Sequence, residues 1–204
     1  MATLLQINSS IFGGEGQSTR LANSYATRWQ AANPGGDVVI RDLAAKPVPH
    51  LTAERFQGFL LAPEERSPAQ VAATQEADEL IAELKDADEV LLGLPMYNFT
   101  LPSTLKAWLD HVARAGTTFR YTASGPEGLV GDKPVHIFAA RGGQYAGTPT
   151  DTQTALLRTF FGFLGMKDVR FVYAEGLARG GEAAQEVMSG AIREIDRMAG
   201  RATA

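Results

Sequence analysis

Short apolar runs alternate with stretches of helical spacing along the whole chain. The run TLLQIN at residues 3–8 reads as a strand and gives way to the glycine-rich SSIFGGEGQ. From Ser18, STRLANSYATRWQAA puts Leu21, Tyr25, Ala26 and Trp29 on one face, which predicts a helix with Ser18 as its N-cap. GGDVVIRDL supplies a turn and a second strand, and residues 43–67 form a long irregular connection with a short helix around Phe56–Leu61. A connection that long inside a compact domain serves a site or an interface. Residues 68–85 make a helix with proline in its first turn, DEVLLGL a third strand, and PSTLKAWLDHVARAG a helix closed by Gly116. TTFRYTASGPEGLVGDK is polar and turn-rich, a loop or a hairpin. PVHIFAA is the fourth strand, DTQTALLRTFFGFLG a helix with Asp151 as N-cap, VRFVYAEGL the fifth strand, and GEAAQEVMSGAIREIDRMAG the last helix. There are no internal repeats and no low-complexity segments.

Five strands in alternation with helices predict an α/β fold, a parallel sheet with helices on both faces. Right-handed crossovers leave few arrangements, and five such units favour the flavodoxin-like strand order 2-1-3-4-5 in one domain spanning residues 1–204. Such sheets bind ligands beyond the carboxyl ends of their strands, where the strand order reverses. Here that selects the loops after strands one, three and four.

Composition changes this picture only by exclusion. With 204 residues, 45% apolar and 21% charged, the chain can bury a core. A net charge of −4 and no block of Lys or Arg argue against nucleic acid as a partner. No cysteine is present, so disulfides, thiolate nucleophiles and cysteine-held metals are excluded, and any redox chemistry needs a bound cofactor. The apolar runs fall well short of the ~20 residues of a membrane helix. No signal peptide is visible at MATLLQINSS, so the expectation is a cytoplasmic protein without a membrane partner.

Each selected loop has an unusual composition. SSIFGGEGQST combines glycines with Ser10, Gln17 and Ser18 at a helix start, where free N–H groups attract a phosphate. It lacks the lysine of a triphosphate loop and does not spell G-x-G-x-x-G, so a phosphate monoester suits it better than a diphosphate. An ordinary glycine-rich turn is an equal reading of that loop alone. After the third strand, PMYNF (95–99) places a thioether, an amide and two aromatics where loops are usually small and polar. A flat aromatic ligand would cover them, with Asn98 at its edge; packing under a neighbouring loop is the plainer alternative. After the fourth strand, AARGGQYAG offers the backbone of Gly142–Gly143, and Arg141 to pair with a carboxylate or balance developing negative charge. A phosphate and a flat ring without a diphosphate loop point to FMN.

These residues resemble the FMN-dependent NADH-azoreductases, within the wider flavodoxin-like NAD(P)H:quinone reductases. The resemblance runs nearly end to end, through SSI with QS, PMYNF, STLKAWLDHVARAG, TFRYT, GPEGLV, RGG, GTPTD, TFFGFLG and AEG. It implies that Ser10, Gly16, Gln17 and Ser18 hold the FMN phosphate. Met96, Tyr97, Asn98 and Phe99 would flank the ribityl chain and the ring, and Ala140, Arg141, Gly142 and Gly143 the pyrimidine end. Ala140 stands where the family typically has serine, which removes one hydroxyl contact. The resemblance further implies a homodimer with the flavin near the interface, and a cavity lined by Phe99, Tyr121 and Phe163, some of them from the partner. Hydride would pass from NADH or NADPH through the flavin to a quinone or azo acceptor in ping-pong fashion, the N–H groups of Gly142–Gly143 stabilising the reduced ring.

No acid–base catalyst is assigned. His50, His111 and His136 lack metal-ligand spacing, so no metal is expected, and ASGPEG is not a hydrolase G-x-S-x-G motif. Two other classes share the fold, an electron carrier and a flavin-binding regulatory module without turnover. Carriers tend to be shorter and strongly acidic, and the long 43–67 connection suits a substrate site better. No arginine cluster suited to a 2′-phosphate stands out, which favours NADH.

Overall fold

The computed structural model describes residues 1–201. In chain order the elements are β1 (Thr3–Asn8), α1 (Gln17–Ala32), β2 (Asp37–Asp42), α2 (Ala53–Leu60), α3 (Pro68–Asp86), β3 (Glu89–Pro95), α4 (Ser103–Val112), β4 (Phe119–Thr122), β5 (Gly125–Gly128), β6 (Val135–Arg141), α5 (Thr152–Phe163), β7 (Val169–Glu175) and α6 (Gly181–Arg201). The five long strands pair in the order β2-β1-β3-β6-β7, all parallel. This is the expected arrangement, with β6 and β7 standing as the fourth and fifth strands.

Side-chain alternation along the strands divides the core between the two faces. Leu5 and Ile7 of β1, Val90, Leu92 and Leu94 of β3, and Ile137 and Ala139 of β6 face one way and meet α3, α4 and α5. Leu4, Leu91 and Phe138 point to the other face and meet Leu21, Tyr25 and Trp29 of α1 and Ile195 of α6. The central strands are covered on both sides, which is why β3 and β6 read as nearly unbroken apolar runs.

Several ends differ from the sequence reading. Helix α1 starts one residue before Ser18: Gly16 is extended at the cap, the Arg20 N–H donates to the Gly16 carbonyl at 2.9 Å, and Ser18 lies inside the first turn. Helix α4 stops at Val112, short of Gly116. The Thr118 hydroxyl donates to the Val112 carbonyl at 2.7 Å and accepts from the Arg114 N–H at 2.8 Å, ending the helix from outside it. The short helix in the long connection runs over Ala53–Leu60, capped by Thr52. The turn-rich segment is a hairpin, with Tyr121 opposite Pro126. Pro68 and Asp151 hold the positions expected of them, the former within a Ser67–Gln70 capping box.

Candidate functional site

The loops after β1, β3 and β6 lie side by side at the carboxyl edge of the sheet, because these three strands are adjacent. Beyond β1, Ser9 and Ser10 are buried, and a single turn over Gly13–Glu15 brings the chain to Gly16. A Cβ at Gly16 would stand 2.2 Å from Ser10 Oγ and 2.5 Å from Ser10 Cβ, so only glycine allows the loop to close this tightly. The N–H groups in the first turn of a helix have no intrahelical acceptor. At the start of α1 the Ser18 and Thr19 hydroxyls join them, each residue 1% exposed and each hydroxyl without a protein partner.

The loop after β3 is a strained turn. Asn98 and Phe99 both have positive φ, 49° and 64°, while Tyr97 and Thr100 exchange backbone hydrogen bonds of 3.2 and 3.0 Å across them. Tight hairpin turns use this conformation, but for a residue such as Phe99 it costs about 1–2 kcal/mol. One result is that Phe99 stands 57% exposed at the rim, edge-on to Tyr145 with ring centroids 5.8 Å apart. Tyr97 turns back toward the first loop. Its hydroxyl accepts from the Ile11 N–H at 3.3 Å and lies 3.4 Å from Ser10 Oγ. The Met96 N–H donates to the Ala140 carbonyl at 3.2 Å, tying the second loop to β6.

In the loop after β6 the carbonyls of Gly142 and Gly143 accept from the Ala178 and Gly176 N–H groups at 3.1 and 2.9 Å, which fixes both peptide planes. The Arg141 side chain points inward and is fully buried. It donates to Glu175 at 3.1 Å, to Asp151 at 2.9 Å and to Gln153 Oε1 at 3.1 Å. Burial alone would raise the Asp151 carboxyl, but hydrogen bonds from Arg141 and Thr154, and the charge of Arg141, hold it below the ordinary carboxylate value. The guanidinium is therefore committed to the interior, and Arg141 can face a ligand only through its main chain.

The loops that carry Ser10, Gly16, Gln17, Ser18, Met96–Phe99 and Ala140–Gly143 are thus brought together at the carboxyl edge of the sheet. Tyr121 and Phe163 do not gather there; both pack against Phe119. The Thr152 hydroxyl, at the start of α5, donates to the Phe99 carbonyl, whereas Phe163 ends that helix, about 16 Å further along its axis. Phe163 packs against Phe119, with ring centroids 4.4 Å apart and the planes tilted by 47°, and borders an apolar groove of about 490 Å³ between α4 and α5. His111 and His136 are buried; His111 Nδ1 lies 2.9 Å from the Ala107 carbonyl and His136 Nε2 3.1 Å from Glu89. No group of three or more His, Cys, Asp or Glu suited to a metal occurs among the described residues, and no described helix is long and apolar enough to cross a membrane. Sequence reasoning missed Tyr145, Gln153 and Glu175 as parts of the site's support. The RGGQY and AEG strings contain the first and last, but nothing in them shows which way the side chains turn.

A family model described as Flavodoxin-like fold matches residues 2–199. The chain belongs to this family. Among its flavodoxin-like relatives, an FMN-dependent NADH:quinone oxidoreductase of Cellvibrio japonicus is 55% identical over 180 residues, which is 88% of this chain and 90% of the relative. FMN-dependent NADH:quinone oxidoreductase 6 of Burkholderia lata is 50% identical over 195 residues, 96% and 98% of the two chains. Among solved flavodoxin-like structures, an azoreductase from Bacillus anthracis superposes with a TM-score of 0.90 at 27% identity, covering 98% of this chain and all of the other.

Proposed function

We propose that the protein is an FMN-dependent oxidoreductase that passes electrons from NADH to quinones and azo compounds. The observation that carries this reading is the meeting of the three loops, whose facing edges would form one crevice. Three loops of unlike composition converge at the switch point, the first with buried, unpartnered hydroxyls at a helix start and the second with an aromatic rim. A phosphate monoester fits the first: Ser10 and Ser18 offer hydroxyls, and the N–H groups at Gly16–Ser18 carry the positive end of α1. Tyr97 links that loop to the second, so phosphate and ring would be gripped by one connected wall. Met96, Asn98 and Phe99 would lie along the ribityl chain and ring, and the backbone at Ala140–Gly143 at the pyrimidine end. With alanine at position 140, that end is held by main-chain groups without a side-chain hydroxyl there.

FMN, when bound, supplies the hydride acceptor and donor that a chain without cysteine lacks. The protein's part is to hold the ring rigidly and keep one face open to flat reactants. NADH and then the quinone or azo compound would occupy that face in turn, giving ping-pong kinetics. NADH is a cytoplasmic reductant, and the reading places the protein in that compartment.

The same reading calls for a homodimer. Phe99 and Phe163 can border one cavity only if the second comes from another copy, and the groove beside Phe163 offers exposed Ala155 and Leu156 and half-buried Phe160 as an apolar face for that copy. Wild type should sediment at twice the 21.8 kDa chain mass. Leu156→Glu, which sets a charge in the groove, should give monomers and lose most quinone reduction. A dimeric Leu156→Glu protein would place the interface elsewhere.

The direct test of the activity is spectroscopic. Protein loaded with FMN should bleach on anaerobic addition of NADH and regain its absorption on addition of a quinone. Bound flavin that ignores NADH would sink the oxidoreductase reading.

A further inference from the structure

Gln153 is fully buried at the start of α5, and every polar atom of its side chain is used. Its amide nitrogen donates to the Pro95 carbonyl at 2.9 Å and to the Thr100 carbonyl at 3.1 Å. These two carbonyls bracket the strained Met96–Phe99 turn. Its amide oxygen accepts from Arg141 Nε at 3.1 Å. The remaining bonds of Arg141 go to Asp151, the cap of α5, and to Glu175. Glu175 in turn accepts from the Tyr145 and Ala146 N–H groups, both at 2.9 Å, in the loop after β6. One buried guanidinium therefore connects the second and third walls of the crevice, and among the described residues Gln153 is its only side-chain link to the second.

We propose that Gln153, aimed by Arg141, is a positioning residue that sets the Met96–Phe99 turn against the ring of the bound flavin. The proposal rests on the FMN reading above and adds to it a specific residue outside the three loops. The physical argument is one of donors and acceptors. An amide can donate to two carbonyls while accepting from an arginine, and no other neutral side chain of that size does both. A left-handed Asn98–Phe99 pair persists only where its surroundings over-determine it. Gln153 reaches from the start of α5 to both carbonyls that bracket this turn, and through Arg141 and Glu175 it is tied to the third loop as well. Buried amide donors facing carbonyls are also costly to lose, because the carbonyls are then left without a partner.

Gln153→Glu separates this role from simple support of the core. The carboxylate still accepts from Arg141, so the interior link survives, but it presents lone pairs in place of donors to Pro95 and Thr100. FMN dissociation constants, the position and fine structure of the bound-flavin absorption bands, and the flavin midpoint potential should be measured beside the far-ultraviolet circular dichroism of each loaded protein. The expected result is a native dichroism spectrum, FMN affinity weaker by about tenfold or more, and shifted flavin bands and potential. Unchanged affinity, bands and potential, with only a lower melting temperature, would overturn the proposal and leave Gln153 a core residue. If Gln153→Glu does not fold, Gln153→Met, similar in volume and without donors, is judged by the same readings. Wild-type protein that takes up no FMN would end both this inference and the reading beneath it. Normal uptake by wild type and variant alike, with bands and potential unchanged, would end this inference alone.

Discussion

Replacing Arg141 with alanine should destabilise the protein by about 3–5 kcal/mol, a large part of the 5–15 kcal/mol that holds a typical domain together. The side chain of Arg141 is 0% exposed, and those of Asp151 and Glu175 are 5% and 15% exposed. Removing the cation leaves two carboxylates out of water with no positive partner. The loss should therefore exceed that of deleting an equal volume of apolar side chain. The same logic gives a rescue. Arg141→Met combined with Asp151→Asn and Glu175→Gln removes all three charges together, and asparagine still caps α5, so most of the lost stability should return. Urea melts of the three proteins would decide, and a triple variant as unstable as the single one would contradict the account.

Acidification supplies an independent check on that ion cluster. In the native protein Asp151 titrates below its ordinary value, so the stability it contributes is present above the unfolded value of about 3.9 and is lost as the pH falls through the lower folded value. In Arg141→Ala the lowering by Arg141 is gone, while the effect of burial and the hydrogen bonds from Thr154 remain. That carboxyl should then accept a proton at a higher pH, which relieves the buried charge. The gap in stability between wild type and variant should consequently be widest near neutral pH and narrow as the pH approaches 4.

How far these features could be read beforehand depended on how local their causes are. The strands, the two-faced core and the strand order follow from the side-chain period and the handedness of crossovers, and both are present in the sequence around Leu4–Ile7, Val90–Leu94 and Val135–Ala139. The three loops could be selected for the same reason, since their adjacency follows from the order β1-β3-β6. Helix ends were less legible. Ser18 looks like a cap because serine favours that position, but the close approach of Ser10 requires glycine where the chain turns, and the helix begins there. Gly116 looks like a terminator, but a threonine two residues later takes the carbonyl of Val112 first. The charge and position of Arg141 are visible in RGG; its inward direction follows from the pairing of β6 with β7, which places Arg141 opposite Glu175. Gln153 carried no signal, because its partners lie 58 and 53 residues away in sequence.

Gly16→Val should be the most damaging single change for FMN binding, with an affinity loss of at least about tenfold and up to a hundredfold. The new Cβ cannot occupy the position 2.5 Å from Ser10 Cβ, and rotating the serine hydroxyl away relieves only the contact with Oγ. The backbone must give, and overpacking of this kind typically costs about 1–3 kcal/mol. The strain falls where the Ser10 hydroxyl, the Tyr97 phenol and the first N–H groups of α1 converge, so most of it should appear in the affinity for the phosphate end of the cofactor. A comparison within the same loop isolates the cause. A Cβ at Gly14 meets nothing within 4 Å, so Gly14→Ala should leave FMN affinity within about twofold of wild type. Fluorescence titration of the three proteins with FMN, and with riboflavin, which lacks the phosphate, resolves the site further. If the first loop holds the phosphate, Gly16→Val should weaken FMN far more than riboflavin. Equal weakening of both would move the phosphate away from the start of α1 and require a different orientation of the cofactor in the crevice.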